Sequence, residues 1–194
     1  MSRNIIVGEL KEHLPFTLSA SIIATGLVII ISSFGAMNLV ADLFEIFHPA
    51  HILVSAAATS GMYFKYRKSI VKGIFIGVVG AILIGSLSDI LLPWISGNIF
   101  LLHTSFHLPI IENPLLILSV ALIGSLGGIY LGGFNVSHSL HIFLSVFASL
   151  FYLLAFSMGF NMWTIIIISL IVFLAVYVPC CISDIVFPLW FVRK

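Results

Sequence analysis

The chain has 194 residues, of which 61% are hydrophobic and 8% charged, and its mean hydropathy is +1.25. Soluble domains carry roughly 25% charged residues, so this composition excludes a soluble enzyme, a nucleic-acid-binding protein and a disordered tail. It predicts an integral membrane protein that lies in the lipid bilayer.

Apolar runs of helical length divide the chain into six segments. A transmembrane helix needs about 20 largely apolar residues, and these runs lack the alternation over about ten residues that marks the strands of membrane barrels. The predicted fold class is an all-α integral membrane protein with six transmembrane helices. The predicted spans are Pro15 to Phe34, Phe44 to Phe64, Ile70 to Ile95, Pro109 to Gly132, Val136 to Phe160 and Trp163 to Val192.

The eight basic residues predict the orientation of such a bundle. Lys and Arg collect in cytoplasmic loops near helix ends. Here they precede the first span, lie at the junction of the second and third spans, or end the chain, at Arg3, Lys11, Lys65, Arg67, Lys68, Lys72, Arg193 and Lys194. All of these positions lie on one side of a six-span bundle. Both termini are therefore expected in the cytoplasm, with the protein in the cytoplasmic membrane.

Three short motifs recur in the same order in both halves, at offsets of 94, 90 and 95 residues. Because each half holds three predicted spans, the second half enters the membrane from the opposite face. Residues 1–97 and 98–194 are thus predicted to form two inverted three-helix repeats in one transmembrane domain. The motif pairs are His13-Leu14-Pro15 with His107-Leu108-Pro109, His48-Pro49-Ala50-His51 with His138-Ser139-Leu140-His141, and Ser88-Asp89 with Ser183-Asp184.

Inverted repeats are typical of secondary transporters, whose sites lie at the repeat interface where helices are broken. Six prolines fall in or beside the repeated motifs, at Pro15, Pro49, Pro93, Pro109, Pro179 and Pro188. Since proline removes a backbone donor from a helix, the sequence predicts Pro-broken helices near the site.

The histidines and aspartates of these motifs are the candidate site, because ionisable groups at membrane depth are costly and usually functional. Histidines three residues apart share one helix face, and two imidazoles with a carboxylate suit manganese, zinc, iron, cobalt or nickel. A proton relay and structural hydrogen bonding are the alternatives. The predicted metal ligands are His48, His51, Asp89 and His107 toward one face and His138, His141, Asp184 and His13 toward the other, as two clusters or one merged at the midplane.

The stretch from Phe47 through His48-Pro49-Ala50-His51 to Met62-Tyr63, with Ser88-Asp89-Ile90 and Cys181 to Pro188, resembles the heavy-metal (manganese) exporter family of polytopic membrane proteins. The resemblance covers about half the chain. It implies metal efflux, with these His and Asp residues as ligands. The family is described as having more than six spans, so a single subunit and a homodimer both stay open.

Two other functions compete with transport. An intramembrane metal-dependent hydrolase would need a metal-activated water and a general base, for which Glu112 is the nearest candidate. A haem-binding electron carrier would use histidines as axial ligands, but ligands three residues apart would compete for one side of the macrocycle.

Overall fold

In the computed structural model, residues 3–33, 38–131, 138–158, 162–181 and 186–192 are described, and every regular element within them is helical. The predicted all-α class is confirmed. The elements are α1 (Arg3–Ser33), α2 (Asn38–Arg67), α3 (Ile70–Ser86), a π-helical turn (Leu87–Leu91), α4 (Leu92–Ile99), α5 (Pro109–Glu112), α6 (Pro114–Tyr130), α7 (His138–Phe156), α8 (Met162–Cys181) and α9 (Phe187–Val192).

Helices overlap each of the six predicted spans, but they differ in length. Among the described residues, the segments Leu39–Arg67 and Ile70–Ile99 are long and apolar enough to cross a membrane. The other segments contain shorter apolar helices, which are Thr17–Ile31, Pro114–Tyr130, Leu140–Phe156 and Ile166–Tyr177. By length and composition, these two helices could cross a membrane, and the six-span inverted repeat stays a prediction.

The helices are continuous at several prolines that were expected to break them. Pro15, Pro49 and Pro179 lie inside α1, α2 and α8, so the prediction of Pro-broken helices is wrong at these positions. Each proline removes one N–H donor, and the remaining turns of helices of 20 to 31 residues maintain the helix on both sides.

The chain does depart from α-helical geometry just before Pro93. The N–H of Leu92 bonds to the carbonyl of Leu87, five residues back, which closes a π-helical turn between α3 and α4. In a regular helix the ring of Pro93 would clash with the carbonyl of Asp89, and the wider turn relieves that conflict. Single π turns occur frequently at functional sites, and this one buries Asp89.

Helix α2 lies at the centre and packs against α3, α6 and α7. The contact with α6 is close because Gly124 and Gly128 face the backbone carbonyls of Leu53 and Ala57. A side chain at either glycine would push the helices apart. On its other side, α2 joins a buried apolar cluster with α7 and α8 that includes Phe44. The histidines of α2 lie between these two contacts.

Candidate functional site

Asp89 accepts four hydrogen bonds inside the helical core. Its Oδ2 lies 2.9 Å from Nδ1 of His48 and 2.7 Å from Nδ1 of His51. Its Oδ1 accepts from the hydroxyls of Ser88, at 2.9 Å, and Ser145, at 2.8 Å. All five side chains are buried. The π turn aims the carboxylate at α2, and α7 supplies Ser145 from the second half of the chain.

This hydrogen-bonding pattern determines where the imidazole protons lie when Asp89 is ionised. A carboxylate only accepts hydrogen bonds, so both Nδ1 atoms must carry a proton. The Nε2 atom of each neutral ring is then the nitrogen without a proton. Histidines that bind metals commonly donate their second ring N–H to a carboxylate in this way. The geometry favours Nε2 of His48 and His51 as ligand atoms, with Asp89 as the group that orients them.

His48 has a polar atom whose bonding capacity is unused. Its Nε2 is buried and has no hydrogen-bond partner in the described part of the chain. Leaving such an atom unsatisfied costs about 1–3 kcal/mol, and each such atom in a native core calls for an explanation. The ring stacks on Phe44 with centroids 5.5 Å apart, which fixes its plane. A bound cation would use this lone pair.

His141, from the second half of the chain, contacts His51 from the first half. The two rings stack with centroids 4.6 Å apart, and both residues are buried. Of the two arrangements that the sequence left open, this contact favours the merged one. We call His48, His51, Asp89 and His141 the central site.

His107, which the sequence predicts to join His48 and His51, bonds to two glutamates in the structure. Its Nε2 lies 2.8 Å from Oε1 of Glu45, and its Nδ1 lies 2.8 Å from Oε2 of Glu112. The ring stacks on Phe156 and meets the edge of Phe44. The loop before α5 places His107 at the partly exposed end of α2. There its ring lies within 2.8 Å of both Glu45 and Glu112. We call Glu45, His107 and Glu112 the Glu-His-Glu cluster.

The remaining predicted ligands cannot be placed as side chains. His13 belongs to α1 and His138 begins α7, but their side chains lie outside the described residues. Asp184 lies outside them entirely. Val186, the repeat equivalent of Leu91, is π-helical as Leu91 is, which agrees with the repeated motif.

The site includes hydroxyl groups that the sequence prediction did not assign. Ser145 donates to Asp89, and Ser149 donates to the carbonyls of Ser88, at 3.2 Å, and of Ser145, at 2.7 Å. Ser145 follows His141 by one helical turn, and this spacing is the sequence feature that could have indicated a hydroxyl at the site. Such spacing places a hydroxyl on the histidine face but does not name its acceptor.

Within the described residues, no group of three His, Cys, Asp or Glu side chains stands in a geometry that holds a metal ion. At the central site the cause is the orientation of the rings, because both Nδ1 atoms converge on Asp89. An ion bound at Nε2 would need further ligands from water, His141 or residues beyond the described ranges. An ionised Asp89 buried among neutral donors would still attract a cation, since a buried charge is costly without compensation.

Comparison with known proteins gives no family match, no curated relative and no similar solved structure.

Proposed function

We propose that this chain transports a divalent transition-metal ion across the cytoplasmic membrane, in the direction of efflux. The ion is substrate and binds imidazole nitrogens of the central site, with His48 and His51 as its proposed ligands. The observation that carries the proposal is the buried carboxylate of Asp89, which bonds to Nδ1 of both rings, together with Nε2 of His48, which is buried and has no hydrogen-bond partner among the described residues.

Burial supports transport over a peripheral binding role. His48, His51 and His141 are each at most 1% exposed. An ion that reaches them exchanges its water shell for imidazole ligands inside an apolar helical core. Two inverted repeats would let such a site open alternately to each face, because rocking of one repeat against the other moves the barrier and not the site.

Proton exchange would accompany metal binding. Ligation needs an imidazole nitrogen without a proton, so metal binding and protonation exclude each other at that atom. A carrier with this competition can move metal outward as protons enter. Metal efflux then follows the proton gradient of the cytoplasmic membrane.

The hydrolase alternative lacks a general base beside the histidines in the part of the chain that is described. Both oxygens of Asp89 already accept two hydrogen bonds each. Glu112 bonds to His107, and the ring of Phe44 contacts both His107 and His48. Neither carboxylate is placed to take a proton from a water at Nε2 of His48, which favours transport.

The first test is elemental analysis of protein purified after growth with manganese, zinc, iron, cobalt and nickel. We expect bound metal in the wild type and a clear loss in His48→Ala and His51→Ala, because fewer ligands hold metal poorly. His103→Asn is the matched control. His103 is an exposed loop residue at φ 49°, a conformation that Asn tolerates.

Flux into proteoliposomes under an imposed pH gradient then tests transport itself. We expect metal movement with a counterflow of protons in the wild type and in His103→Asn, and none in His48→Ala. Unchanged metal content in both alanine variants would overturn the metal site. Retained metal without flux under any gradient would leave binding but remove transport.

A further inference from the structure

A cavity of about 640 Å³ opens beside the junction of α2 and α3, away from the central site. Its polar wall includes Arg67, Ser69 and Lys72, and its apolar wall includes Val71 and Phe75. Helix α9 adds Phe191 from the end of the chain. The cavity therefore combines cationic, hydroxyl and hydrocarbon surfaces.

The positive charge of this cavity is not neutralised within the described residues. Each ion pair among the described residues has a histidine as its basic partner. Neither Arg67 nor Lys72 therefore pairs with a described carboxylate. The guanidinium of Arg67 donates from Nε at 3.1 Å and from Nη2 at 2.7 Å to the carbonyl of Val192. These bonds fix the cation at the wall. A fixed guanidinium and a nearby ammonium suit a phosphate group.

The apolar wall continues beside the cations. Val71 is 79% exposed and Phe75 is 65% exposed, and they are four residues apart on one face of α3. A water-soluble phosphate compound would leave this hydrocarbon surface uncovered. A phospholipid would cover it with an acyl chain while its phosphate met the cations.

We propose that this cavity binds an anionic phospholipid of the cytoplasmic leaflet. The phosphate contacts Arg67 and Lys72, and an acyl chain lies along Val71 and Phe75. The location agrees with the predicted cytoplasmic position of the basic residues, and the inference is independent of metal transport. Basic pockets between helices at this face of a membrane bind anionic head groups, and each basic residue near an anionic surface strengthens binding by a factor of about five.

The test is native mass spectrometry of the purified protein titrated with phosphatidylglycerol or phosphatidylcholine. We expect selective binding of phosphatidylglycerol, weakened roughly 30-fold in the double variant Arg67→Gln/Lys72→Gln. The control is Lys65→Gln/Lys68→Gln, which removes the same charge next to the cavity. Lys65 and Lys68 lie over the rings of Tyr66 and Phe64 and do not line the cavity. We expect this control to change binding less than about twofold, because its charges lie outside the pocket.

The double variant loses the bonds from Arg67 to Val192 and could unfold for that reason. The single variant Lys72→Gln keeps these bonds, and we expect it to bind phosphatidylglycerol about fivefold more weakly than the wild type. Equal weakening in the Lys65→Gln/Lys68→Gln control would overturn the pocket in favour of diffuse surface charge. Equal binding of phosphatidylcholine would overturn the role of charge. A titration with inorganic phosphate completes the test, since binding as tight as that of phosphatidylglycerol would identify a soluble phosphate ligand and overturn the lipid.

Discussion

His51 and His141 stack with ring centroids 4.6 Å apart and an interplanar angle of 30°. One ring comes from each half of the chain, and both are buried. Two nitrogens that bind one tetrahedral ion at 2.0–2.1 Å are about 3.3 Å apart, a spacing that neighbouring stacked rings can provide. The pair therefore offers a place where both halves could hold the same ion.

We expect Asp89→Asn to weaken metal binding about 10- to 100-fold, the usual cost of removing a group that orients a ligand. An amide has one acceptor oxygen where the carboxylate has two, so the four donors around Asp89 could not all keep their acceptor, and the amide NH2 would face a histidine or a serine. Competition with a metal-binding dye measures the affinity. The ¹⁵N shifts of labelled histidines should show Nδ1–H rings in the wild type and mixed tautomers in the variant. Unchanged tautomers with unchanged affinity would contradict the orienting role.

The close contact of α2 and α6 predicts opposite effects of alanine at two adjacent glycines. A methyl group at Gly128 would meet the carbonyl of Ala57, whereas Gly127 has nothing within 4 Å. Gly128→Ala should lower the free energy of unfolding by about 1–3 kcal/mol. Gly127→Ala should leave it unchanged or raise it by up to about 1 kcal/mol, because alanine favours the helix. Denaturant titration in detergent micelles measures both, and equal stabilities would show that the contact is not tight.

The Glu-His-Glu cluster is predicted to raise the concentration of cations near the path to the central site. Its carboxylates are partly exposed, with side chains 38% and 45% accessible at Glu45 and Glu112. Acidic groups at the mouth of a cleft raise the local cation concentration. Glu45→Gln should raise the metal concentration for half-maximal flux without changing the metal bound per chain.

High salt provides the control for that experiment, because exposed charges are screened over about 8 Å at 0.15 M and about 3 Å at 1 M. The difference between Glu45→Gln and wild type should therefore shrink as salt increases. A lower bound-metal content would instead place Glu45 among the ligands.

Topology is tested with single cysteines in a background lacking Cys180 and Cys181. Phe100 and Lys65 are both exposed, near opposite ends of the two longest apolar segments. Phe100→Cys should react with an impermeant maleimide applied outside the cell, and Lys65→Cys only after the membrane is opened. The reverse result would overturn the predicted orientation and remove the argument for an anionic lipid of the cytoplasmic leaflet.

The helical class and the approximate position of each helix follow from the order of residues along the chain. Continuous apolar runs of about 20 residues leave few alternatives to helices, because all the backbone hydrogen bonds can then form within the segment. The spacing of His48 and His51 likewise predicted that they share a helix face, since helical periodicity is a local property.

Which polar groups contact one another depends on how the helices and loops pack together. His107 bonds to Glu45, 62 residues away, and no spacing rule predicts a contact between a loop residue and a distant helix. Nor does the sequence state which ring nitrogen faces a carboxylate. That depends on the π turn that aims Asp89 at α2 and on Ser145 from α7. The orientation of polar groups in a core depends on how several elements pack together. Sequence repeats and helical periodicity give only the positions of these residues along the chain.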